Sequence, residues 1–112
     1  MIMQGYDIEA AVPFIAAAMT KTGVRAPRGE LEAFVRRAID EDFRYMQETG
    51  VLDEQGYMGE GEYDEDEAFE ALLERLADGT DDEDALNALA QRLDAYMAAQ
   101  QDFLERSGLA ED

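Results

Sequence analysis

Apolar residues recur along this chain at steps of three and four, the spacing that gathers side chains onto one stripe of an α-helix. The clearest stretch is 30–50, where Leu31, Phe34, Val35, Ala38, Ile39, Phe43 and Met46 share a stripe. Glu32, Arg36, Arg37, Asp40, Glu41, Arg44 and Glu48 fill the opposite face. Gly50 suits the left-handed position that ends a helix, with Val51 placed to fold back on Met46. Upstream, Asp7 is an N-cap for a helix through Ile8, Val12, Ile15 and Met19, broadened by Phe14 and by Ala16, Ala17 and Ala18. Gly23 and Val24 close it, and Pro13 inside it must kink it or restart it one turn in. So apolar a face is read as part of a bundle core in preference to half of a dimer interface.

Phe69, Leu72, Leu73 and Leu76 form a third, shorter stripe, opened by Asp64 with Glu67 three residues on and ended by Gly79. Thr80 followed by Glu83 spells a capping box for a fourth helix. Its stripe is Leu86, Leu89, Ala90, Leu93, Met97, Gln100 and Leu104, with Ala85, Tyr96 and Phe103 at the margins, and Gly108 and Leu109 read as its C-cap and closing contact. The pattern predicts an all-α, single-domain bundle of four helices over residues 7–22, 27–49, 64–78 and 81–107. Residues 1–5 and 109–112 are expected to be loose termini, and residues 51–63 one long acidic, glycine-rich loop. The other connections are short, so successive helices should be antiparallel neighbours. The four stripes differ in length and residue choice, which excludes an internal repeat.

Composition narrows the class. Of 112 residues 46% are hydrophobic, enough for one core and no more. Cysteine is absent, which removes disulfides and thiolate metal sites, and histidine is absent too. The longest apolar run, residues 10–19, is half of the roughly 20 residues a membrane helix needs. Asp7 and Glu9 stand where a signal peptide would be positive, so a cytoplasmic protein is expected.

Charge changes the picture more. The net charge is −19, and it is uneven: residues 53–84 carry fifteen acids against Arg75 alone. Such a surface repels nucleic acid and anionic membranes and attracts basic proteins or divalent cations. The same runs also serve as a solvated face that keeps a small protein soluble. Lys21, Arg25, Arg28, Arg36 and Arg37 are the one cationic neighbourhood. No aromatic interleaving accompanies them, so they are expected to pair with the acidic segment, within the chain or across a two-fold homodimer, and not to bind nucleic acid directly.

The loop invites a cation test. With Gly56 at position 6 of an EF-hand-like loop over 51–62, Asp53 falls at position 3, Gln55 at 5, the Tyr57 carbonyl at 7 and Glu62 at 12, a set suited to Ca or Mg. Val51 occupies position 1, where a carboxylate belongs, so the match is degenerate and a solvated, hairpin-like connection is the competing expectation.

Parts for catalysis are few. Ser107, Thr20, Thr22, Thr49 and Thr80 are the only hydroxyl nucleophiles besides tyrosine, with no histidine or cysteine to activate them. Carboxylate acid–base work would need a deep cleft and raised pKa values, which a helical chain of this size is not expected to provide. No enzyme and no cofactor is therefore predicted. The function expected is a protein-interaction module whose acids Glu60, Glu62, Asp64, Glu65, Asp66, Glu67, Glu70, Glu74, Asp81, Asp82 and Asp84 face a partner with a basic surface. At its most specific, such a surface imitates the phosphate rows of DNA and inhibits a nucleic-acid-binding protein. The other alternative is cation binding at Asp53, Gln55, Tyr57 and Glu62.

Overall fold

The structure, a computed structural model, describes residues 5–57 and 59–109. Four helices follow one another: α1 (Ile8–Lys21), α2 (Arg28–Glu48), α3 (Glu65–Ala77) and α4 (Glu83–Arg106). Each packs on the one before and after it, and α1 closes the ring against α4, giving a four-helix bundle in which α2 and α4 also touch across the diagonal. Ile15 and Met19 of α1, Leu31, Ile39 and Phe43 of α2, Leu72 of α3 and Leu93 and Tyr96 of α4 meet in its centre with no exposed surface. No helix among the described residues is long and apolar enough to cross a membrane.

The helix ends follow from local chemistry. Asp7 accepts from the Glu9 and Ala10 amides at 3.1 and 3.3 Å, and Asp64 from those of Asp66 and Glu67 at 2.9 and 3.2 Å, each satisfying two donors that have no helical partner. Val24 N–H reaches the Met19 carbonyl and Leu109 N–H the Leu104 carbonyl, the closures expected after Gly23 and Gly108. Leu109 is thereby held and packs against the core, so the loose terminus expected from 109 does not begin there. Residues 1–4 and 110–112 lie outside the described residues.

Several expectations needed correction. α4 starts two residues later than predicted: its N-cap is Asp82, which takes the Asp84 amide at 3.0 Å, and Thr80 lies outside the helix. In a run of four acids several side chains can cap, and the tight turn after α3, with Asp78 and Gly79 both left-handed, sets which one does. α1 does not restart at Pro13 but continues through it as one helix; Pro13 is exposed, and the carbonyl it leaves without a helical donor is that of exposed Glu9. Phe34 is only partly buried. The α4 stripe is rotated: Tyr96, Ala99 and Phe103 are buried while Leu86, Leu89 and Met97 are half-buried. Phe103 turns inward because Tyr6 and Phe14 pack on its ring at 5.4 and 5.5 Å between centroids.

After α2 the chain folds back on itself. Gly59 N–H donates to the Val51 carbonyl at 2.8 Å and Gly61 N–H to the Gly50 carbonyl at 2.9 Å, while Leu52 N–H closes on Met46. The connection is thus hairpin-like, with Val51 and Leu52 buried beneath it. A Cβ at Gly59 or Gly61 would run into the carbonyls of Gly50 and Thr49, which explains the glycines.

Candidate functional site

The eleven acids named from the sequence follow one another along a path from the end of the loop through α3 to the start of α4. Glu60 and Glu62 end the loop, Asp64, Glu65, Asp66 and Glu67 cap and open α3, Glu70 and Glu74 run down it, and Asp81, Asp82 and Asp84 open α4. All are exposed, and α3, with 13 residues, is roughly 20 Å long. Charge at the start of α3 and of α4 also complements the helix dipoles, which stabilises each group by about 0.3–1 kcal/mol at low salt.

None of the eleven is in an ion pair. Arg75, the single base of the segment, reaches away from them to α2, with Glu48 at 2.7 Å and Glu41 at 3.9 Å, over the Tyr45 ring. The expected pairing of Lys21, Arg25, Arg28, Arg36 and Arg37 with acids of residues 53–84 does not form among the described residues. Arg44 bonds Asp40 and Glu41 of its own helix, Arg36 meets Glu9 at 3.5 Å, and Arg37 donates to the Arg75 carbonyl. For Arg44 both partners lie one turn away, where side chains three and four apart on a helix are neighbours.

Of the loop residues suited to a cation, Asp53, Gln55 and Tyr57 come together in one turn, and Gly56 there has the positive φ its position requires. Within that turn Asp53 Oδ1 accepts from the Gln55 and Tyr57 amides, both at 2.9 Å, and the Tyr57 carbonyl accepts from Asp53 N–H at 2.8 Å. The groups offered to a cation thus already bond one another, as in an Asx-turn. Glu62 is not among the groups bonded there. No cluster of three or more Asp, Glu, His or Cys able to hold a metal occurs among the described residues.

The most unusual group was not singled out from the sequence. Asp42, on α2, is 1% exposed and is bonded to no cation. Its Oδ1 accepts from the Tyr63 hydroxyl and its Oδ2 from the Tyr96 hydroxyl, each at 2.9 Å. Gln100 extends the chain: its Nε2 donates to the Tyr96 oxygen at 3.3 Å and its Oε1 accepts from Tyr6 at 2.7 Å. Loss of water pushes the Asp42 carboxyl up to about 6, against the pull of its two hydroxyl donors. Burial and the nearby carboxylate hold the Tyr63 and Tyr96 hydroxyls well above their ordinary range, so both stay protonated as donors. The signal was present: Asp42 stands three residues after Ile39 and four before Met46, in apolar phase on α2, as Gln100 does on α4.

Above this network lies a cleft of about 950 Å³. It lies at the start of α3, between the C-terminal parts of α2 and α4. Met46, Val51, Phe69, Met97, Leu104 and Leu109 supply apolar walls, and Glu65, Asp66 and Asp94 supply charge. No lysine or arginine lines it. A sizeable cleft and a carboxyl with a raised pKa, not expected of so small a helical chain, are therefore both present. Comparison with protein-family models, with curated proteins and with solved structures finds no match.

Proposed function

We propose that this protein is a non-catalytic interaction module of the cytoplasm that docks a basic protein surface along α3. The observation that carries this is the uncompensated state of the acidic path: every ion pair among the described residues uses acids outside it, namely Glu9, Glu30, Asp40, Glu41, Glu48 and Asp102. Charges without internal partners keep their attraction for an external one, which speeds encounter and sets orientation more than it adds affinity. Tyr57, 58% exposed in the loop that leads to the path, offers a rigid aromatic anchor of the kind that concentrates binding energy. Asp42 is assigned no catalytic part, since both oxygens accept from tyrosines and almost none of its surface reaches solvent.

The test neutralises acids of the path that neither cap a helix nor line the cleft: Glu62→Gln, Glu67→Gln, Glu70→Gln, Glu74→Gln and Asp84→Asn together. Immobilised wild type should retain specific proteins from a cytoplasmic lysate, release them with added salt, and lose them in the neutralised chain while its circular dichroism is unchanged. Release by duplex DNA as well would narrow the function to imitation of a phosphate row. Equal retention by the neutralised chain would end the proposal.

A further inference from the structure

We propose that the cleft between α2, α3 and α4 binds an organic cation with an apolar body, its ammonium drawn to the wall that carries Glu65, Asp66 and Asp94 and its hydrocarbon laid across Phe69, Met97 and Leu104. The volume of about 950 Å³ falls at the upper end of the range of small-molecule sites, which are apolar with a few converging polar groups. Here the charges that line the cleft are of one sign. None of the three carboxylates is in an ion pair, and no basic side chain reaches the cleft to neutralise them. At the floor lies a fourth carboxyl, Asp42, almost wholly buried, where a charge is felt more strongly than at the surface. An anion therefore meets repulsion from rim and floor. A neutral apolar molecule gains the walls alone, and a cation gains both. Selectivity thus comes from charge and affinity from burial of hydrocarbon on the half-buried Phe69 and Met97.

The cleft proposal stands apart from the docking of a basic protein, because the acids removed to test that docking lie outside the cleft. The probes are decylammonium, decanol and decanoate, each below its aggregation limit and titrated by calorimetry at moderate salt. Decylammonium should bind saturably, one per chain and at least about tenfold tighter than decanol, with decanoate weaker still. Ala98→Trp sets an indole into the cleft from an exposed helical position and should abolish binding without lowering the thermal midpoint. Glu65→Gln with Asp66→Asn and Asp94→Asn should remove the preference for decylammonium over decanol even if the tryptophan variant folds poorly. Glu70→Gln with Glu74→Gln and Asp84→Asn, an equal loss of charge elsewhere, should leave it within about threefold of wild type. Equal binding of decanol and decylammonium would overturn the proposal, as would unchanged binding in a folded Ala98→Trp protein. So would equal losses in the two charge variants, since that is attraction to the whole molecule.

Discussion

Replacing Asp42 with asparagine should stabilise the protein at neutral pH and leave its stability in acid nearly unchanged. The carboxyl titrates near 3.8 when solvated and is pushed up to about 6 in the fold. Because the folded state holds this proton more tightly than the unfolded chain, stability falls as pH rises from about 4 to about 6. The cost is absent below that window and fully present above it. Two pKa units correspond to about 3 kcal/mol at neutral pH. Asparagine matches the shape of the protonated acid, and the network can accept it. Its oxygen takes the Tyr96 hydroxyl, which must donate because it already accepts from Gln100, and its amide donates to the Tyr63 oxygen. The assay is urea unfolding of both chains, followed by far-ultraviolet circular dichroism, from about pH 4 to about pH 8 at one ionic strength. The quantity to read is the difference between the chains, since many surface carboxylates titrate identically in both. Asp42→Asn should gain up to about 3 kcal/mol above pH 6 and lose that advantage near pH 4. A difference that is flat with pH, or a variant less stable than wild type at pH 8, would refute the account. The first result would mean that the two tyrosine hydrogen bonds to the charged form balance its desolvation, the second that they outweigh it.

Other consequences follow from packing and backbone geometry. Ile39→Ala should cost about 2–5 kcal/mol by opening a cavity at a fully buried site, whereas Phe34→Ala, at a partly buried one, should cost distinctly less in the same urea assay. Gly61→Ala should lose about 2 kcal/mol or more, because its Cβ meets the Thr49 and Gly50 backbone and breaks the bond to the Gly50 carbonyl; a thermal midpoint equal to wild type would contradict the close approach. Asp82→Ala should cost about 1 kcal/mol while Thr80→Ala costs almost nothing, and the reverse order would move the start of α4 back to the capping box read from the sequence.

Most of the fold was legible because its signals are local. Four stripes at helical spacing, two aspartates that cap, and glycines after α1, α2 and α4 each act within a few residues of where they stand, so element number, order and most boundaries follow from neighbours along the chain. Where local chemistry offered several equal answers, as in the run Asp81, Asp82, Glu83 and Asp84, the sequence alone chose the wrong cap. The rotation of α4 was hidden for another reason. A stripe carrying Leu86, Leu93, Met97 and Leu104 beside one carrying Tyr96 and Phe103 can turn either edge inward, and the choice belongs to Tyr6 and Phe14, which arrive from the far end of the chain.

By itself, then, the sequence determined that this protein is an acidic bundle of four amphipathic helices, and that its charge gathers in residues 53–84. Only the tertiary structure decided what that charge has for company. Arg75 turns to α2 and leaves the path beside it unpaired. Asp42 sits among apolar residues on α2, yet its two partners come from 21 and 54 positions away, and whether a buried acid is satisfied depends on groups brought by other elements. The cleft has the same origin. Its walls come from α2, α3 and α4 together, and such a gap is a relation between elements that no single stretch of sequence contains.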